Sequence, residues 1–116
     1  MKILICDDEY ATRLITKSFL DMHSYDTVEA ANGFEAFEVI KREAPDLLII
    51  DYSMPGKTGL EVIRELDGRL PSIVLTSEGF TELTEKELKE QASAYIIKPV
   101  TEEKLIETVK RVMGGD

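Results

Sequence analysis

The residues with chemistry to offer in this chain are carboxylates that follow apolar runs. Ile3-Leu4-Ile5-Cys6 leads into Asp7-Asp8-Glu9, and Leu47-Leu48-Ile49-Ile50 leads into Asp51. Acids placed together repel and raise one another's pKa, so the arrangement calls for a cation. Two further apolar runs end in groups suited to an anion. Ile73-Val74-Leu75 ends in Thr76-Ser77, and Tyr95-Ile96-Ile97 ends in Lys98-Pro99. Oxygen-only ligands suit a hard cation; Mg²⁺ takes one or two carboxylates, several waters and phosphate oxygens, and Mn²⁺ could replace it. Phosphoryl transfer asks mainly for positioning and charge neutralisation. A carboxylate can act as its nucleophile, forming an aspartyl phosphate. A lysine and a hydroxyl opposite the metal would meet the phosphoryl oxygens.

Such a site needs a scaffold that brings four separate segments to one edge. The chain alternates short apolar runs with helix-like stretches. "KILIC", "TVEAA", "LLIID", "SIVLT" and "AYII" read as strands. After the first, Ala11, Leu14, Ile15, Ser18, Phe19 and Met22 share one face at helical spacing. Asn32-Gly33 signals a turn before the helix "FEAFEVIKREA", which Pro45 stops. "GLEVIREL" is a helix ended around Gly68. Between Phe80 and Gln91, Glu82/Lys86 and Glu85/Lys89 have the order favoured on a helix surface. Thr84 with Glu87 has the spacing of a capping box, and Leu83 and Leu88 are the apolar anchors. Thr101 caps a last helix that carries Leu105, Val109 and Val112 inward. Strands apolar on both faces, with helices between, predict a parallel sheet covered on both sides and right-handed crossovers. Ligands of such sheets bind beyond the carboxyl ends of the strands, at the switch point of strand order. There stand Asp7, Asp8, Asp51, Thr76 and Lys98.

The totals narrow the functional classes. With 116 residues and 43% hydrophobic content, one packed domain over 1–116 is expected, without repeat or linker. A formal net charge of −9 and the lack of a basic stripe argue against direct nucleic-acid binding. Proteins and metal cations are the expected partners. No apolar run is long enough for a bilayer, and the first residues lack the features of a secretion signal. The single cysteine, Cys6, permits neither an internal disulfide nor a zinc cluster, and reads as an inert buried residue. A cytoplasmic location is expected. Blander roles compete for several residues. Asp7 and Asp8 could cap the first helix, Lys98 could be a plain surface lysine, and Tyr95 could be core packing. His23 reads as solvent-facing, and Phe34 as either core or partner contact.

Taken together, "DDE" after strand one, "NG" before helix two, "PDLLIIDYSMPGKTGLEVI", "IVLTS" and "AYIIKP" resemble the receiver domains of two-component response regulators. In length the chain resembles the single-domain chemotaxis type, and the likeness covers essentially every residue. It implies a flavodoxin-like (βα)5 fold with strand order 2-1-3-4-5, an order that the spacing of the elements does not supply. It implies Asp51 as phosphoacceptor and Asp7 and Asp8 as Mg²⁺ ligands, Asp7 through water, with the backbone carbonyl of Ser53 as a further ligand. Thr76 and Lys98 would bind the phosphoryl group. Tyr95 would be an aromatic switch that follows Thr76, and the Lys98-Pro99 bond would be cis. The donor would be a phosphohistidine on a sensor kinase or phosphotransfer domain. The output surface would be helix four, strand five and helix five, on a protein that is monomeric before phosphorylation. It would not be a turnover enzyme, though it supports its own phosphorylation and dephosphorylation.

Three positions depart from the family pattern. Ser53 stands where larger side chains are common, and Glu78 lies two residues after Thr76; both positions tune phosphate lifetime in the family. Gln91 stands where a glycine commonly ends helix four. Two other classes remain as rivals. An Mg²⁺-dependent phosphohydrolase of the haloacid-dehalogenase type would carry an acid at Ser53. A phosphorylation-independent interaction module would not need Asp8, Asp51, Thr76 and Lys98 together. A flavin or nucleotide domain would need a glycine-rich turn after strand one, which here is acidic.

Overall fold

The structure is a computed structural model that describes residues 1–77 and 81–114. The alternation becomes β1 (Lys2–Cys6), α1 (Tyr10–Met22), β2 (Asp26–Ala30), α2 (Gly33–Glu43), β3 (Leu47–Asp51), α3 (Gly59–Leu66), β4 (Ser72–Thr76), α4 (Glu82–Gln91), β5 (Ala94–Ile97) and α5 (Glu102–Val112). All strand pairs are parallel, in the order β2-β1-β3-β4-β5. Among the described residues no helix is long and apolar enough to cross a membrane.

Alternating strand residues feed two cores, as the period of two requires. Leu4, Cys6, Ile50 and Val74 face α2, α3 and α4, where they meet Ala36, Val39, Leu60, Ile63 and Leu88. Ile3, Ile5, Ile49, Ile73 and Leu75 face α1 and α5, where they meet Leu20, Leu105 and Val109. β3 and β4 are buried along their whole length because helices cover both faces. Register then aligns the strand ends. Cys6 pairs with Ile50, Asp51 with Leu75 and Thr76 with Ile97. The next residues along β1 and β5 are Asp7 and Lys98, so the acids and the lysine arrive on one edge.

The helix ends follow local chemistry. Asn32 caps α2 by accepting the Glu35 N–H at 2.8 Å. Thr58 and Glu61 form a capping box on α3. Thr101 caps α5 through the Lys104 N–H at 3.2 Å.

The apolar face that spacing marks on α1 is turned largely outward: Leu14, Ile15 and Met22 are 44%, 52% and 70% exposed. The sheet receives Thr16 and Leu20, with Phe19 half-buried beside them. Thr16 can enter the core because its hydroxyl donates to the Thr12 carbonyl at 3.0 Å, so no polar group is left unsatisfied.

In α4 the cap is Thr81, not Thr84: the Thr81 side chain accepts the Thr84 N–H at 3.2 Å. Glu87 instead pairs with Arg64 of α3. Leu83 is exposed, which leaves Leu88 as the buried anchor of the helix. Phe80, expected at the start of this helix, lies outside the described residues. Gln91 is the last helical residue and the chain leaves through Ala92 in extended backbone (φ −96°, ψ 154°), so no glycine is required at position 91.

Candidate functional site

At the carboxyl edge, Asp7, Asp8 and Asp51 each offer a carboxylate oxygen within 4.8 Å of the others. Asp7 and Asp51 are buried and Asp8 is exposed. Main-chain bonds fix Asp7 closely. Its N–H donates to the Ala30 carbonyl at 3.1 Å, and its Oδ1 accepts the Glu9 N–H at 2.9 Å. Among the described residues, the buried side-chain oxygen left without a hydrogen bond is Oδ2 of Asp7. Burial pushes the Asp7 pKa up and the nearby charges of Asp51 and Asp8 add to this; the Glu9 N–H and Lys98 act the other way. An orphaned buried carboxylate oxygen beside two other acids fits a hard cation. Helix capping does not account for the pair Asp7-Asp8, since the N-cap position falls to Glu9.

Asp51 also has a cationic neighbour. Lys98 Nζ lies 3.2 Å from Asp51 Oδ1. β5 delivers it, with the Lys98 N–H donating to the Thr76 carbonyl at 2.7 Å. The Lys98-Pro99 peptide is cis. Thr76 is buried at the end of β4, beside Asp51. Ser53 is exposed, and its N–H lies 3.4 Å from Asp51 Oδ1. Tyr95 packs on the α4 side of the sheet and donates its hydroxyl to Glu85 Oε1 at 3.1 Å. Burial, then Glu85, raises the Tyr95 pKa. Glu78 lies outside the described residues.

Sequence reasoning missed three supporting residues. Gly59 lets α3 start against β3: a Cβ there would meet the Asp51 carbonyl oxygen at 2.5 Å. Its N–H closes the loop on the Tyr52 carbonyl at 2.9 Å. The spacing of Glu85 marks it only as a surface partner of Lys89, and not as the acceptor of the Tyr95 hydroxyl. Arg13 donates to the Asp7 carbonyl at 2.6 Å and pairs with Glu29 at 2.9 Å. The signal for Arg13 was a basic residue one turn into a helix that follows three acids. Other residues play quiet parts. Cys6 is buried with its pKa pushed up to about 12, chiefly by burial and then by Asp7, so no thiolate forms. His23 is exposed, 3.5 Å from Glu102. Phe34 is 64% exposed, with the Lys57 ammonium 5.2 Å from its ring centre.

The raised pKa of Asp7 sets a pH dependence in metal-free protein. Stability tied to this group is complete below the ordinary carboxylate pKa and is lost as pH rises through the higher folded value. Asp7→Asn in chelator should therefore melt above the unsubstituted protein near pH 7, by roughly 1–3 kcal/mol, because the amide carries no charge to desolvate or to repel Asp51 and Asp8. The gain should shrink as pH falls toward about 4. Melting curves across pH check this, and a variant no more stable at pH 7 would contradict it.

Residues 3–110 match the response regulator receiver domain family. Sporulation initiation phosphotransferase F of Bacillus subtilis is 29% identical over 97% of this chain and 93% of its own. The phosphate regulon transcriptional regulatory protein PhoB of Pseudomonas aeruginosa is 35% identical over 96% of this chain, which spans about half (51%) of PhoB. Among solved structures, a response regulator receiver domain protein from Clostridium thermocellum superposes with a TM-score of 0.89 at 26% identity, over 97% of this chain and 94% of that one. The chain belongs to the response regulator receiver domain family, the phosphoacceptor signalling domains of two-component systems.

Proposed function

We propose that Asp51 accepts a phosphoryl group from a phosphohistidine on a sensor kinase or phosphotransfer domain. The observation that carries this is the convergence on Asp51 of Lys98, at 3.2 Å, and of the carboxylates of Asp7 and Asp8, within 4.8 Å. In the transfer an Asp51 carboxylate oxygen forms the new O–P bond as the N–P bond to the donor imidazole breaks. Lys98 neutralises one side of the incoming group, and the Thr76 hydroxyl donates to a phosphoryl oxygen. Asp7, Asp8, Asp51 and the Ser53 carbonyl would hold Mg²⁺, which when bound supplies positive charge to the transferred oxygens. Ser53 offers no acid for rapid hydrolysis, which favours a signalling role over a phosphohydrolase.

The protein is to be incubated with acetyl phosphate and Mg²⁺ and its intact mass recorded. A single phosphoryl adduct that Asp51→Asn does not form is expected. An adduct that persists in Asp51→Asn would move the acceptor elsewhere.

The donor docks on α1. Its exposed Ala11, Leu14, Ile15, Ser18 and Met22 form an apolar stripe on the helix that starts directly after Asp7-Asp8-Glu9. Such a stripe suits a partner helix. Ile15→Glu should leave the melting temperature nearly unchanged, because the side chain is half exposed. It should slow transfer from a phosphohistidine protein at least tenfold and spare transfer from acetyl phosphate. Equal rates from both donors in the variant would remove α1 from the interface.

Output runs through α4, β5 and α5. Phosphate on Asp51 adds charge and acceptor oxygens, draws Thr76 toward it, and opens room for Tyr95 to turn inward and leave Glu85. Beryllofluoride, as a stable phosphoryl mimic, should then shift the amides of Tyr95 and α4 as well as those near Asp51. Shifts confined to the acidic edge would rule out this switch and leave the acceptor role intact.

A further inference from the structure

We infer that Arg13, anchored by Glu29, is a positioning residue that sets the Asp7 carboxylate for its cation; this rests on the reading of the acidic edge as a cation-dependent phosphoacceptor site. Arg13 Nη1 donates to the Asp7 main-chain carbonyl at 2.6 Å, and its Nε donates to Glu29 Oε1 at 2.9 Å. Glu29 belongs to β2, next to Ala30. The Asp7 peptide is thus tied to β2 twice. Its N–H reaches the Ala30 carbonyl directly at 3.1 Å, and its carbonyl reaches Glu29 through the guanidinium. Oδ1 is held by the Glu9 N–H. With these three atoms fixed, the free oxygen Oδ2 has little freedom in where it points. A planar guanidinium holds two acceptors in a fixed fork geometry, which an ammonium on a flexible stem does not impose. The Arg13 side chain is only 14% exposed, and the Tyr10 ring lies 5.5 Å from it, so the clamp is itself restrained.

Two effects oppose each other. As a positive charge, Arg13 should repel a cation bound at Asp7. As a clamp, it should favour binding by holding the ligand in place. Glu29 pairs with the guanidinium and cancels much of its field, so positioning dominates. The sign of the effect separates the two: Arg13→Lys keeps the charge and loses the fork.

The test is a Mg²⁺ titration followed by the amide shifts of Asp7 and Asp8, with no phosphodonor present. Arg13→Lys should raise the half-saturating Mg²⁺ concentration roughly threefold to tenfold, at or below the low end of losses typical of residues that orient metal ligands. Glu29→Gln, on an exposed side chain of an edge strand, should act in the same direction. The double variant should lose less than the sum of the two single losses, because one clamp is being broken. Unchanged or tighter Mg²⁺ binding in Arg13→Lys overturns the inference, as does an additive loss in the double variant. A role in stability alone would lower the melting temperature in chelator without moving the half-saturation. If the unsubstituted protein shows no Mg²⁺-dependent shift, the cation reading of the site fails and the clamp with it. A response in that protein alongside an unchanged Arg13→Lys removes only the clamp.

Discussion

Three carboxylates share one edge of this sheet, and their repulsion is what the surrounding structure is arranged to hold. Two of them, Asp7 and Asp51, are buried, where charges interact more strongly than in water. Lys98 offsets part of that cost from one side. Nothing among the described residues satisfies Oδ2 of Asp7. The edge tolerates this because the strands behind it are anchored elsewhere: β3 is buried throughout and β1 from Ile3 onward, and both feed the two cores. Stability and reactivity are therefore separated in space. The cores hold the strand ends in register, and the strand ends carry groups whose charge balance stays open to a cation or an anion.

How much of this could be read beforehand depends on the range of the interaction. Strands such as Leu47–Asp51 and Ser72–Thr76 announce themselves because burial on both faces demands unbroken apolar runs. The carboxyl-end rule then places Asp7, Asp51, Thr76 and Lys98 together without knowledge of any side-chain contact. Strand order is different. It depends on which strands pair, and here it came only from the resemblance to a family.

Where the α1 face points is not legible in the sequence, for a physical reason. Periodicity locates an apolar stripe, but it cannot say whether the stripe meets the sheet or something outside the chain. Thr16 and Leu20 took the sheet, leaving the richer stripe in solvent. The cap of α4 failed on a similar ambiguity, since Thr81 and Thr84 are both plausible from spacing and only the bond to the Thr84 N–H decides. Arg13 and Glu29 are sixteen positions apart, a contact that local pattern does not report. α1 and α5 cover one side of the sheet and α4 the other, so the proposed donor helix lies on the side away from α4 but shares its side with α5.

The proposed switch can be weighed by what differs between its two states. Phosphate shifts an equilibrium only through contacts that are stronger in one state than in the other. Moving a population from 1:99 to 99:1 requires about 5.5 kcal/mol of such difference. A new hydrogen bond from Thr76 supplies on the order of 1 kcal/mol, which is too little alone. Lys98 already contacts Asp51 before phosphorylation, so its contribution is confined to pairing with a more highly charged partner. In the proposed switch the added negative charge and a bound cation would also redistribute the repulsion among Asp7, Asp8 and Asp51. α4 is the element able to respond to a push of that size. Leu88 is its buried anchor, and much of its surface is charged. Its tie to β5 includes the Tyr95–Glu85 hydrogen bond. A helix held this lightly can move while the strands that deliver the charges stay in register.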